Sequence, residues 1–196
     1  MKIKSKLCLL LLVVSSFLLT GCAKAEIREN TESTPARETE STLTPQSGND
    51  STAIAFEALD MEGNTVSAEV FAETKLTMVN VWATYCNPCL REMPGLGELA
   101  EEYAPEEFRI VGVISDVMEG ADQKTMDLAA DLIEQTGAGY THLLLSESLY
   151  YALLTDVTAV PTTFFINEDG EILDIVIGSM EKSAWEEKVN ALLEEQ

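Results

Sequence analysis

The chain has 196 residues, 34 of them acidic against 12 basic, for a net charge of −22. A surface this acidic repels phosphate backbones and gains nothing from anionic headgroups, so nucleic-acid binding is excluded and membrane attachment needs a dedicated segment. A single histidine, His142, excludes a multi-histidine metal centre by count.

The chain opens "MKIKSKLCLLLLVVSSFLLTGC". Lys2, Lys4 and Lys6 form a basic n-region, and the uncharged run from Leu7 to Leu19 has the length of a signal-peptide h-region. A spanning helix needs ~20 apolar residues. Leu19, Thr20 and Gly21 before Cys22 resemble the lipobox of bacterial lipoproteins. That resemblance implies a signal peptide over residues 1–21, removed to leave a lipidated Cys22 as the membrane anchor. A spanning anchor or an ordinary cleaved signal is the plainer alternative. Residues 22–52 then form an acidic tether rich in Ser, Thr and Pro, with almost no large apolar side chains. Such a stretch cannot offset its ordering entropy and is expected to be disordered, with a reach of ~30 Å. A passive spacer would have the same sequence.

A domain is expected over residues 53–196. "FEALDMEGNTVS" places a Glu-Gly-Asn turn between two short runs, the pattern of a β-hairpin. "LTMVNVW" (76–82) and "FRIVGVIS" (108–115) are buried-strand patterns. Between them, helical spacing runs from about Pro88 to Tyr103, with Pro94 inside it expected to kink the helix. A helix over 122–136 stops near Gly137, "YTHLLL" (140–145) is a third strand, and 147–154 a short helix. "TTFFIN" (162–167) and "EILDIVIG" (171–178) flank a Glu-Asp-Gly turn as an edge hairpin. A closing helix over 180–194 turns Trp185, Val189, Leu192 and Leu193 inward. Alternating β and α units mean an α/β domain, a central mixed β-sheet flanked by helices on both faces.

The chemistry sits in "WATYCNPCLREMP", which begins at Trp82. Removal of the leader takes Cys8, and a lipidated Cys22 is no longer a thiol, which leaves Cys86 and Cys89. A structural zinc site needs four ligands, and this domain supplies two cysteines and one distant histidine. A purely structural disulfide over so short a loop removes little unfolded-state entropy. A redox pair fits the context better. Cys86 follows a buried strand and opens a helix, where unpaired N–H groups and the macrodipole favour a thiolate. Cys89 lies one turn inside, placed to close a disulfide, and Pro88 suits the first turn because no N–H is needed there. Cys89 and Glu92 are spaced i, i+3 on one helix and can be neighbours. A solvated helix acid is the plainer reading of Glu92. His142, in an apolar strand, reads as a core or edge residue rather than a catalyst.

"VNVWATYCNPCLREMP" and "AVPTTFFINEDGEI" together resemble the thioredoxin superfamily. More closely, they resemble its membrane-anchored TlpA/ResA group of extracytoplasmic thiol–disulfide oxidoreductases. The similarity spans about residues 53–196 and implies a thioredoxin-like fold with the hairpin as an N-terminal extension. It further implies a cis-proline facing the dithiol at Pro161, with the Val160 backbone available to a substrate peptide. Asn80 stands where thioredoxins carry a buried aspartate, and it cannot take a proton. The group's glutamate six residues after the first cysteine matches Glu92, which would accept the proton of Cys89. Tyr85 stands where many relatives have a second tryptophan and is expected to shield the disulfide, with Trp82 packed beneath; Trp82, Tyr85 and Pro88 are candidate substrate contacts.

The resemblance thus implies a lipid-anchored enzyme outside the cytoplasmic membrane of a bacterium, reducing protein disulfides with electrons from a membrane thiol donor. Apocytochrome c or a methionine sulfoxide reductase are candidate clients. The redox group is the protein's own dithiol, so no cofactor and no metal is expected. A DsbA-like oxidase is the alternative enzyme. Peroxide reduction is weaker, because the proline-threonine-cysteine pattern of peroxiredoxins is absent. The non-enzymatic alternative is a binding lipoprotein on the same scaffold.

Overall fold

The computed structural model describes residues 54–196, so the expected signal peptide (1–21), Cys22 and the tether (22–52) lie outside the described residues. Strands β1 (Glu57–Leu59) and β2 (Thr65–Ser67) form the expected antiparallel hairpin. Its turn is closed by Asp60, whose carboxylate accepts the backbone N–H groups of Glu62 and Asn64 at 3.0 and 2.8 Å. Ser67 then caps a 3₁₀ helix over Ala68–Glu73, which drops Phe71 into the core.

The main sheet follows in βα order. β3 (Leu76–Trp82) is buried at every position. After it come α1 (Asn87–Glu102), β4 (Phe108–Met118), α2 (Gln123–Thr136) and β5 (Thr141–Leu145). The short helix α3 (Glu147–Leu149) runs into a π-helical turn over Tyr150–Leu154. β6 (Thr162–Asn167), β7 (Ile172–Ile177) and α4 (Lys182–Glu194) complete the domain. The strand order is β5-β4-β3-β6-β7, with β3, β4 and β5 parallel and β6 and β7 antiparallel to their neighbours. This is the mixed sheet that the alternating pattern implies.

Both faces of the sheet are covered because β3 has apolar residues on both. Val79 and Val81 pack with Val111, Val113, Phe164 and Phe71 on one side. Met78 and Trp82 point the other way, Met78 into a core with Leu96, Phe165 and Trp185 and Trp82 into one with Met93 and Ile114. Burial of each large apolar side chain contributes roughly 1.5–3 kcal/mol.

One strand is longer than the sequence reading: β4 runs on to Met118, past the apolar run that ends at Ser115. Helix α1 is continuous through Pro94, which stands on its exposed side, to Glu102. Trp185 and Val189 of α4 are buried, and Leu192 and Leu193 pack half-buried against the same core. At the outer edge of the sheet, β7 pairs only with β6 among the described residues, and it exposes Ile175 and Ile177.

Gly112 of β4 lies beside His142 of β5. A Cβ at position 112 would come within 2.2 Å of His142 Nδ1, so only glycine leaves room for the imidazole. That nitrogen accepts the indole N–H of Trp82 at 3.1 Å, while Nε2 donates to the Ala138 carbonyl at 2.9 Å. Gly112→Ala is therefore expected to destabilise the domain by about 1–3 kcal/mol through overpacking. Urea unfolding checks this; an unchanged midpoint would mean the ring moves aside freely.

Candidate active site

The sheet delivers its chemistry at the C-terminal end of β3. After Trp82 the chain turns through Ala83–Tyr85, and the Cys86 N–H donates back to the Ala83 carbonyl at 2.9 Å. The turn is pinned from β4. Thr84 gives its N–H and hydroxyl to the two carboxylate oxygens of Asp116 at 2.9 and 2.5 Å, and the Ser115 hydroxyl donates to the Trp82 carbonyl at 2.9 Å. Asp116 belongs to the three residues by which β4 exceeds its apolar run, so no periodic signal marks it.

Cys86 is the N-cap residue of α1. Its sulfur accepts the backbone N–H of Cys89 at 3.2 Å, with Pro88 in the first turn. The two cysteines are joined in a disulfide with a Cα–Cα distance of 5.3 Å. An open helix end and its dipole stabilise negative charge on the first sulfur once the bridge is reduced. Cys86 is 5 % exposed and Cys89 fully buried. Cys86 is thus the more accessible sulfur, as its position at the helix mouth implies, yet it is far more enclosed than a free surface thiol.

Across from the disulfide, the Val160–Pro161 bond is cis, and the Val160 carbonyl oxygen lies 3.6 Å from the Cys86 sulfur. Pro161 is tied to the edge strand by Gly178, whose N–H donates to its carbonyl at 2.9 Å. Beside Val160 opens a groove of about 240 Å³, lined by Tyr85, Tyr150, Val157 and Ala159 among others. Tyr85 is 73 % exposed and lines the rim of this groove. Trp82 is wholly buried beneath the cysteines, so it supports the site by packing and presents no surface to a client. Pro88 is half-buried.

Glu92 is 6 % exposed, not a solvated helix acid. Oε1 accepts from Asn80 Nδ2 at 3.1 Å and Oε2 from the Met180 backbone N–H at 3.2 Å. The indole N–H of Trp185 lies near the carboxylate without reaching hydrogen-bond geometry. Burial pushes the Glu92 pKa up to about 7, against the lowering effect of these donors. An acid poised there, three residues beyond Cys89 along one helix, suits proton exchange near neutral pH. The bond from Asn80 escapes sequence reasoning, because β3 and α1 meet only in the fold. His142 is buried and unprotonated, with its pKa pushed down to about 4 by desolvation, which fits a packing role.

Residues 50–175 match the AhpC/TSA family. The chain is 30% identical over 135 residues to "Thiol-disulfide oxidoreductase ResA" of Halalkalibacterium halodurans, covering 69% of this chain and 72% of that protein. It is 31% identical over 126 residues to "Thioredoxin-like protein YneN" of Bacillus subtilis, covering 61% and 66%. Among solved structures, MTB dsbF, in mixed oxidized and reduced forms, superposes with a TM-score of 0.58 at 26% identity, covering 71% of this chain and 96% of that one. A thiol:disulfide interchange protein from Chlorobium tepidum gives a TM-score of 0.59 at 23% identity, covering 72% and 94%, and shares the thioredoxin-like fold.

Glu92 and His142 pull stability in opposite directions with pH. Glu92 has a folded pKa of about 7 against an ordinary 4.5, so its contribution is full below the lower value and is lost as pH rises through the upper one. His142 has a folded pKa of about 4 against 6.5, so its contribution is present above the upper value and lost as pH falls toward the lower. Between pH ~4.5 and ~6.5 the slopes offset each other. Glu92→Gln should expose the histidine slope there and remove a fall of at most about 3 kcal/mol between pH ~4.5 and ~7. Urea unfolding of the oxidised protein across that range checks it; identical pH profiles for variant and wild type would contradict the buried-acid assignment.

Proposed function

The chain belongs to the AhpC/TSA family and is a thiol–disulfide oxidoreductase, and from that premise we propose that it reduces protein disulfides outside the cytoplasmic membrane, held there by a lipid on Cys22. The observation that carries this reading is the disulfide at the mouth of α1, with the Val160 carbonyl 3.6 Å from its outer sulfur and a buried acid one turn behind its inner one. The leader-like N-terminus supports the location. The mechanism starts from the reduced dithiol. Cys86 thiolate attacks one sulfur of the client disulfide. A Cys86–client bond forms, the client's own S–S bond breaks, and the departing thiolate takes a proton from water. Glu92 accepts the proton of Cys89, whose thiolate attacks the Cys86 sulfur. The Cys86–Cys89 bond forms, the mixed disulfide breaks, and the second client thiolate leaves and is protonated. Two electrons have passed to the client, and a membrane thiol donor restores the dithiol. The client strand pairs with the Val160 backbone, and a neighbouring side chain enters the groove rimmed by Tyr85. Apocytochrome c and methionine sulfoxide reductase are the proposed client types. A DsbA-like oxidase would use the same atoms in reverse, so the reduction potential measured against glutathione fixes the direction.

Insulin reduction should be abolished in Cys86→Ser. Cys89→Ser should accumulate mixed disulfides with clients, and Cys86→Ser should trap none; the reverse pattern would exchange the roles of the two sulfurs. Glu92→Gln should slow resolution of the mixed disulfide, by up to ~10²–10⁴ for a lost general base, and shift the pH–rate profile. An unchanged rate and profile would remove Glu92 from the mechanism.

For the anchor, a radioactive fatty acid should label the wild type and not Cys22→Ala, which should leave the membrane fraction. Label on the variant would refute lipidation at that residue.

A further inference from the structure

The loop that joins β7 to α4 spans residues 178–181 and reaches the site at two points. The Gly178 N–H donates to the Pro161 carbonyl at 2.9 Å. Two residues on, the Met180 N–H donates to Glu92 Oε2 at 3.2 Å. One short segment therefore holds both the backbone offered to a client strand and the carboxyl group behind the inner cysteine. Its path is set at its first residue. Gly178 has φ +103°, a backbone region that L side chains rarely adopt. Nothing lies within 4 Å of where its Cβ would stand, so glycine is required there by the backbone and not by crowding. At the other end the Met180 side chain packs half-buried against the core that contains Phe165 and Trp185. The turn in front and the anchor behind fix where the two N–H groups point.

We propose that Gly178 is a positioning residue for both halves of the exchange: it sets the loop so that the client's docking backbone and the carboxyl group that takes the Cys89 proton are held in one frame. A backbone N–H can only donate, so the Met180 bond favours the ionised carboxylate, and weakening it makes the acid harder to ionise. The Pro161 carbonyl, released from Gly178, leaves the Val160 backbone to be ordered when the client docks, which costs affinity.

The other groups around Glu92 come from elsewhere. From β3, Asn80 Nδ2 donates to Oε1 at 3.1 Å and also to Thr163 Oγ1 of β6 at 3.0 Å. From α4, the Trp185 indole N–H lies near the carboxylate without reaching hydrogen-bond geometry. Just before β5, the Tyr140 phenol is held protonated, its pKa raised by burial and by the nearby Glu92 charge. Arg91, Glu181 and Lys182 line a cavity of about 440 Å³ that reaches Glu92, and Lys182 is paired with Glu98 and Glu102. Among the described residues, the loop alone hydrogen-bonds to both Glu92 and Pro161.

This inference rests on Glu92 as the base for Cys89 and on Val160 as the docking backbone, and the test separates it from both. Gly178→Ala forces the loop out of its turn without a clash. Gly170→Ala is the matched control: Gly170 has φ +77° with nothing within 4 Å of its Cβ position, and it lies in the turn at the far end of β6. In oxidised Gly178→Ala the Glu92 midpoint, read by NMR from its carboxyl carbon, should rise by about half a unit to one unit. KM for insulin, with dithiothreitol as electron donor, should rise about three- to tenfold, the effect of one lost hydrogen bond. Gly170→Ala should leave both in place. Movement of only one of the two quantities in Gly178→Ala, or equal movement of both in the control, would overturn the proposal. Should Gly178→Ala not fold, the native loop still decides. The Met180 amide should titrate with Glu92 in the oxidised wild type. In Cys89→Ser, the Gly178 amide should differ between a mixed disulfide of Cys86 with mercaptoethanol and one with a cysteine peptide, which alone has a backbone to dock. Either amide staying constant would overturn the proposal. A midpoint and a KM that both move in a protein whose rate ignores Glu92→Gln would uphold the shared hold and remove Glu92 as the base.

Discussion

The backbone N–H of Cys89 points at the sulfur of Cys86, 3.2 Å away, from inside the first turn of α1. A thiolate becomes a usable leaving group and nucleophile at neutral pH only where something stabilises its charge, and an open helix end does so without a counter-ion. In a chain with so few basic residues that economy matters, since no Lys or Arg need be held beside the sulfur. The contact exists only if the helix begins at one particular residue. The buried strand β3, the turn held by Asp116 and the proline in the first helical turn all serve to fix that starting point.

A second constraint follows from the first. The inner sulfur is fully buried, and a buried thiol needs somewhere close for its proton. Glu92, the proposed acceptor, is itself a buried carboxyl group, and the fold accommodates it with hydrogen-bond donors from β3 and the loop before α4. The strand, helix and loop that stabilise the domain are thus the same pieces that set the acid's proton affinity. A change to any of them alters reactivity as well as stability.

The strands and helices are legible in the sequence because each carries its period of apolar residues, and the glycines and prolines punctuate them. Cys86 and Cys89 are legible because their spacing at a strand–helix junction is tied to one chemistry, and Pro161 is legible through the resemblance that "AVPTTFFINEDGEI" carries. What escapes is whatever depends on two elements meeting. "DVM" after Ser115 has no apolar alternation, so the extension of β4 and the grip of Asp116 on the turn carry no local mark. Asn80 reads in isolation as a missing acid, and only the packing of α1 on the sheet turns it into a partner of Glu92. Gly112 reads as an ordinary strand residue until His142 is laid across it. The groove beside Val160 that Tyr85 rims likewise forms only when the α1 mouth meets the segment before β6.

The open flank of β7 bears on how copies of the protein behave when concentrated. Its outward row includes Ile175 and Ile177, a surface on which a second strand could template itself, and the adjoining turn carries Glu168, Asp169 and Glu171. Two copies meeting flank to flank would oppose these carboxylates directly, on top of a net charge of −22 for each chain. The barrier to pairing along this flank is therefore electrostatic. It weakens as salt shortens the screening length to ~3 Å at 1 M, and it fails where acid neutralises the carboxylates. The same surplus of acids thus acts at the sheet edge as a barrier to self-association.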